Sequence, residues 1–219
     1  MLVGNTLTPE GVETDGMSEI EDIDRVGVVG AGTMGSGIAQ VAATSGYEVV
    51  MRDVEESLVT KGFEGIDDSL SRLVEGETLT DEEAQQARER ITGTTDLADL
   101  ADADLVVEAV VENVDVKQSV FSDLDDICGP DAVLATNTST ISITTIASAT
   151  DRPEQVVGLH FMNPVPIMKG VELVVGEQTA DATVVLAHDF AEALGKETWE
   201  SDDKPGFVVN RVLMPWLNE

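Results

Sequence analysis

Positive charge is what this sequence has least of. Against 43 Asp and Glu it carries 12 Lys and Arg, for a formal net charge of −31. No basic patch for a nucleic acid, and none for an anionic membrane surface, is expected from such a balance. Cysteine is nearly absent: Cys128 stands alone, so no internal disulfide can form and a cytoplasmic protein is the simplest expectation. One Cys and two His far apart in the chain do not provide the ligand spacing of a metal site, so none is expected. No uncharged apolar run reaches the ~18 residues of a transmembrane helix. The start, Met1-Leu2-Val3-Gly4-Asn5, lacks the basic and apolar regions of a secretory signal. Aromatic residues make up only 4%. A salt-rich cytoplasm, as in a halophile, accounts for the charge, because the Debye length falls to ~3 Å at 1 M salt and self-repulsion is then screened. An acidic mesophilic protein is the alternative.

What remains is ample for a core. With 42% apolar residues over 219 positions, the chain suits one domain plus the beginning of another. Residues 1–24 hold Glu10, Glu13, Asp15, Glu19, Glu21, Asp22 and Asp24 with no basic residue, and read as a disordered acidic extension. From Arg25 the pattern becomes regular. Residues 26–30 read as a buried strand, 34–45 as a helix stopped by Gly46, and 48–53 as a second strand. A charged helical hairpin follows over 54–91, its second helix starting at Thr80-Asp81-Glu82-Glu83 and lasting to about Ile91. Strands are expected at 105–110, 133–137, 156–161 and 171–175, and helices at 114–127 and 180–194. Strands alternating with helices specify an α/β fold, a doubly wound and mostly parallel Rossmann-type sheet, over 25–204. From Pro205 a new helix starts an otherwise missing all-α domain at 205–219.

Gly30-Ala31-Gly32-Thr33-Met34-Gly35 is a G-x-G-x-x-G between strand and helix. Gly30 makes the tight turn, Gly32 lets a pyrophosphate approach the backbone, and Gly35 lets helix and strand pack closely. The helix N-terminus, at Thr33 and Met34, presents free N–H groups to the phosphates. Asp53, about 20 residues on, ends the second strand where a carboxylate can bind a ribose 2′-OH. The cofactor expected is therefore NAD. Arg52, adjacent, could meet the 2′-phosphate of NADP, and that alternative stays open. An anionic cofactor on so anionic a chain requires the local dipole and N–H groups to outweigh the global field.

Chemistry at a hydroxyl needs a base that titrates near neutrality, and histidine is the usual choice. His188 falls mid-helix and reads as a surface or packing residue. His160 ends a strand, where ligands of open α/β sheets bind. Glu172 lies twelve positions later. If the two strands are antiparallel, the carboxylate reaches the imidazole, fixes its tautomer and stabilises the imidazolium; a solvated strand residue is the alternative. Ser139 follows another strand end and either binds a substrate oxygen or caps a turn. Asn210 is polar within an apolar run and has the same two readings.

Five segments together resemble the L-3-hydroxyacyl-CoA dehydrogenase family: Gly30-Ala31-Gly32-Thr33-Met34-Gly35-Ser36-Gly37-Ile38-Ala39-Gln40, Val107-Glu108-Ala109-Val110-Val111-Glu112-Asn113, Asn137-Thr138-Ser139, Gly158-Leu159-His160-Phe161-Met162-Asn163-Pro164-Val165, and Pro205-Gly206-Phe207-Val208-Val209-Asn210-Arg211. The resemblance implies oxidation of an L-3-hydroxyacyl-CoA to the 3-ketoacyl-CoA with reduction of NAD. It implies His160 as base, Glu172 as its partner, and Ser139 and Asn210 as ligands of the substrate oxygen. Asp53 matches the adenosine-ribose ligand; Glu112, Lys117 and Asn137 match residues of the cofactor site, and Asn163 lies near the nicotinamide. Two departures stand out. Gly170 replaces a larger aliphatic residue, and only the start is present of a helical domain of roughly 100 residues, which in the family gives dimer contacts and part of the substrate cleft. A homodimer, or a separate chain supplying that domain, is the partner expected beside the acyl-CoA substrate. The competing readings are an NAD-binding module with little or no catalysis, and a related dehydrogenase of free hydroxy acids.

Overall fold

The computed structural model describes residues 23–212. The expected extension lies outside the described residues up to residue 22; Ile23, 4% exposed, already belongs to the core. Leu213 and the rest of the expected apolar run also lie outside the described residues.

Strands β1 (Arg25–Val29), β2 (Glu48–Arg52), β3 (Ile91–Thr94), β4 (Leu105–Glu108), β5 (Val133–Thr136), β6 (Val156–Phe161), β7 (Gly170–Val175) and β8 (Glu197–Asp202) form one sheet, in the order β3-β2-β1-β4-β5-β6-β7-β8. Strands β1 to β6 run parallel. β7 is antiparallel to β6, and β8 is parallel to β7. Order and direction are those of a doubly wound sheet, reversing on either side of β1 and β4, with a crevice at their carboxyl ends. The helices are α1 (Thr33–Thr44), α2 (Glu56–Glu75), α3 (Asp81–Glu89), α4 (Val114–Ile127), α5 (Ile143–Ala147) and α6 (Asp181–Ala193). Buried apolar side chains of α1, α3 and α6 pack on one face of the sheet, and those of α4 and α5 on the other.

Local chemistry sets the boundaries. Gly46, at φ 105, closes α1 in a conformation that suits glycine. Thr80 and Glu83 form a reciprocal capping box at the start of α3. The Asn113 side chain accepts from Val116 N at 3.1 Å to start α4, and the helix ends at Ile127 as the spacing predicts. Cys128 follows, 6% exposed in the second core layer. Burial pushes its thiol up to about 11, with Arg152 lowering and Asp125 raising it to lesser degrees.

Four elements depart from the expectation, one of them the five-residue helix α5, which no expected element covers. The second helix of the hairpin stops at Glu89, and Ile91 instead opens edge strand β3. β8, with sequence ETWESD, is not among the expected strands; four of its six residues are exposed, so its hydropathy carries no strand signal. The helix expected from Pro205 begins later. Gly206 and Phe207 both lie at positive φ, 76 and 47, and helical geometry spans only residues 209–212 of the described chain. Phe207 is 2% exposed and joins the core layer of α4 and α5, so this segment packs back on the sheet.

Gly170 has a physical reason. A Cβ there would lie 2.8 Å from the Trp199 ring of β8, so the missing side chain makes room for the indole. We expect Gly170→Leu to displace Trp199 and cost about 1–3 kcal/mol by overpacking, read as a lower urea midpoint.

Candidate active site

Antiparallel pairing of β6 with β7 sets His160 directly opposite Glu172. Their side chains meet at 3.1 Å, His160 Nδ1 to Glu172 Oε2. Glu172 has no exposed surface, and a carboxylate so placed must be hydrogen-bonded to stay charged. Its other oxygen, Oε1, accepts from Ser201 Oγ at 2.7 Å, Val208 N at 2.6 Å and Val209 N at 3.3 Å. Burial pushes the carboxyl up, but the bonds from Ser201, Val208, His160 and Val209 outweigh it and hold Glu172 below the ordinary carboxylate range. Ser201, Val208 and Val209 were not among the residues singled out in the sequence, because two of them contribute only backbone.

The remaining polar residues close on the same end of the sheet. Asn210 Nδ2 donates to the Ser139 carbonyl at 3.0 Å. Asn137 Oδ1 accepts from Phe161 N at 2.9 Å, tying the end of β5 to the end of β6. Glu112 Oε1 organises the turn after β5, accepting from the Ser139 and Thr140 N–H groups and the hydroxyls of Thr138, Ser139 and Thr140. Burial raises the Glu112 carboxyl; the Thr138 hydroxyl, the Lys117 ammonium and the neighbouring donors more than reverse it. Lys117 is 1% exposed and donates to Glu108 Oε1 at 2.7 Å, with Glu112 Oε2 at 3.5 Å. Lys117 therefore braces the turn from below.

A cavity of about 750 Å³ opens beside this cluster, lined by Gly30, Gly32, Thr33, Asp53 and Asn163 among others. Met34, Gly35, Glu112, Lys117 and Asn137 do not line it; Met34 packs partly against the core, and Gly35 cannot carry a side chain because its Cβ would fall 1.7 Å from the Gly30 carbonyl oxygen. The catalytic-type pair does not line it either. The connection from β6 to β7 joins the two, since Asn163, Pro164, Val165 and Pro166 form one wall. Lys196 fixes that connection, its ammonium donating to the carbonyls of Val165 at 2.6 Å and Met168 at 2.8 Å.

The cavity fits a dinucleotide on three counts. A Cβ on Gly32 would meet no atom within 4 Å, so the backbone there faces open space. α1 is the one described helix longer than five residues with no acidic residue in its first turn, which leaves the positive end of its dipole to an outside anion. The wall holds three cations, Arg52, Lys61 and Arg72, against one carboxylate, Asp53. The local field thus opposes the global one. Lys61, Ser69 and Arg72 of α2 were missed in the sequence, although two cations on one face of a helix in so acidic a chain were a usable signal. Asp53 Oδ2 accepts from Ala31 N at 2.7 Å, so it both braces the glycine loop and presents its carboxylate to the cavity. Gln40, 2% exposed, lines the cavity with its Nε2 unpartnered.

His188 lies half-exposed on α6, 3.2 Å from Asp189. With Glu192 it forms a surface group of metal-ligand type, and none of the three lines the cavity. Among the described residues no helix is long and apolar enough to cross a membrane.

Glu172 titrates with a definite sign. Its lowered value makes its contribution to stability complete above the ordinary carboxylate range of about 4.3. That contribution is lost as pH falls through the lowered folded-state value. We expect Glu172→Gln to remove this part of the acid limb, read as the difference between wild-type and variant unfolding free energies from pH 6 downward. Gly32→Val, by contrast, should leave the melting temperature unchanged while weakening NADH binding by about tenfold or more, measured by fluorescence titration.

The chain matches the model of the 3-hydroxyacyl-CoA dehydrogenase NAD-binding domain over residues 25–203. It is 47% identical over 197 residues to the 3-hydroxybutyryl-CoA dehydrogenase of Bradyrhizobium diazoefficiens, covering 90% of this chain and 67% of that protein. It is 50% identical over 195 residues to the probable 3-hydroxybutyryl-CoA dehydrogenase of Deinococcus radiodurans, covering 89% and 70%. Among solved structures, the (S)-3-hydroxybutyryl-CoA dehydrogenase of Ralstonia eutropha superposes with a TM-score of 0.88 at 45% identity, over 90% of this chain and 70% of that one.

Proposed function

The chain belongs to the 3-hydroxyacyl-CoA dehydrogenase family, an NAD-dependent enzyme family, and from that premise we propose that it oxidises an L-3-hydroxyacyl-CoA to the 3-ketoacyl-CoA with His160 as general base. The observation that carries the reading is the His160–Glu172 pair at 3.1 Å, beside the cavity of the glycine fingerprint.

Glu172, held ionised, keeps the proton of the neutral imidazole on Nδ1 and leaves Nε2 as the acceptor. When His160 takes the hydroxyl proton through Nε2, the imidazolium that forms sits against a carboxylate already in place. Ser139 and Asn210, tied together at 3.0 Å, are proposed to hold the substrate oxygen. Asp53 is proposed to receive the adenosine ribose, with Gly30, Gly32 and Thr33 forming the phosphate cradle; Met34 and Gly35 support it from behind, by core packing and by close approach of helix to strand. Lys117 and Glu112 act indirectly, by shaping the turn that carries Ser139, and Asn137 by holding β6 in register at His160. NAD held in the cavity lined by Gly30, Gly32 and Asp53 would supply the hydride acceptor for this oxidation.

The net charge of −31 supports a salt-adapted protein in which repulsion between carboxylates is screened. A second copy of the chain is the protein partner proposed, on the ground that Val208 and Val212 are apolar yet 48% and 68% exposed.

The decisive experiment follows NADH formation from NAD and L-3-hydroxybutyryl-CoA in dilute and in multimolar KCl. We expect turnover that rises with salt and falls by at least about a hundredfold in His160→Gln. Absence of turnover at every salt concentration, with NADH binding intact, would instead identify a cofactor-binding module without catalysis.

A further inference from the structure

Among the described residues two that are not glycine lie at positive φ, Glu77 and Phe207, and only Phe207 is aromatic. Its φ of 47 lies in the left-handed region, which a large side chain enters only where its surroundings enforce it. The following two residues supply the reason. Val208 N and Val209 N both point at Glu172 Oε1, at 2.6 and 3.3 Å. Successive N–H groups after a left-handed residue converge on one anion, as in a backbone nest. The Phe207 side chain is 2% exposed, and its ring stands edge-on to the His160 imidazole at 6.1 Å between centroids.

We propose that Phe207 is a positioning residue of the catalytic pair, its left-handed backbone aiming two amides at Glu172 and thereby fixing the carboxylate that orients His160. This rests on the functional reading above for the role of His160, but not for the geometry. Without the turn at Phe207, Oε1 would keep Ser201 as a donor and lose both amides. The carboxylate would then be free to rotate away from Nδ1, and the imidazole tautomer would no longer be fixed.

The anchors on either side make the turn deliberate. Asp203 accepts from Ile143 N at 3.0 Å, Thr144 N at 2.9 Å and the hydroxyls of Ser142 and Thr144 at 2.7 Å, fastening the chain to the start of α5. Asn210 fastens it to Ser139 on the far side. Between these two fixed points the backbone must reverse, and Gly206 at φ 76 and Phe207 make the reversal.

The test separates backbone from ring. Phe207→Gly removes the ring but accepts the left-handed conformation; Phe207→Val removes the ring and, being β-branched, resists it. Glutamate-selective 13C labelling, with Glu172 assigned through Glu172→Gln, reads the carboxyl titration directly in the full chain. We expect Phe207→Val to raise the Glu172 midpoint well above wild type and to lower kcat by about tenfold or more with KM little changed. Phe207→Gly should restore both towards wild type. If Phe207→Val does not fold, Phe207→Ala against Phe207→Gly carries the same comparison, because alanine also disfavours positive φ. Equal Glu172 titrations in the two variants would overturn the proposal and leave Phe207 as core packing alone. The titration needs no turnover, so a chain inactive towards acyl-CoA would overturn the functional reading while the role of Phe207 is still decided.

Discussion

Glu172 is a carboxylate with no exposed surface, and the architecture around it follows from keeping it charged. An unpaired buried charge costs far more than any single contact returns. The donors therefore have to be supplied, and they come from three separated parts of the chain: His160 on β6, Ser201 on β8, and the amides of Val208 and Val209. The reversal of β7 puts Glu172 opposite His160. The added strand β8 brings Ser201 alongside. The return of the chain after Pro205 brings the amides. The first of these features of the sheet's far edge serves Oε2 and the other two serve Oε1.

Charge is allocated in the same spirit across the rest of the molecule. Acidic residues crowd the surface and occupy the first turn of α2, α3, α4 and α6, where they complement the helix dipole. They are absent from the first turn of α1, which leaves the positive end of that helix open to an outside anion. One of the few lysines, Lys117, is spent in the interior between Glu108 and Glu112. Removing one member of a buried pair of this kind typically costs about 3–5 kcal/mol, so the turn that bears Ser139 is set rigidly.

Hydropathy revealed the elements that bury both faces or one stripe. β6 is buried at all six positions, and α4 carries Phe121 and Leu124 inward, so both were legible with correct ends. β3 and β8 were not, since an edge strand is held by backbone pairing and leaves its side chains to solvent; only one of the six residues of β8 is buried. At the site, the pair of His160 and Glu172 could be read from two strand ends joined by a short connection. The donors behind Glu172 could not, because main-chain N–H groups have no residue type. The cations of α2 were hidden for a different reason: on an amphipathic helix a polar face reads as solvated until a neighbouring wall turns it into a cavity.

The single thiol gives the molecule an internal reporter. Cys128 sits under the layer formed by α4 and α5, at 6% exposure and with its ionisation pushed up to about 11. A thiol reagent attacks the thiolate, so at neutral pH a native Cys128 is slow on two grounds, access and ionisation. Reaction proceeds through molecules in which that layer has lifted from the sheet and the thiol regains its ordinary acidity. With one cysteine in the chain, the labelling rate counts those openings without competing signals, and local unfolding beneath α4 can be followed separately from the active-site edge.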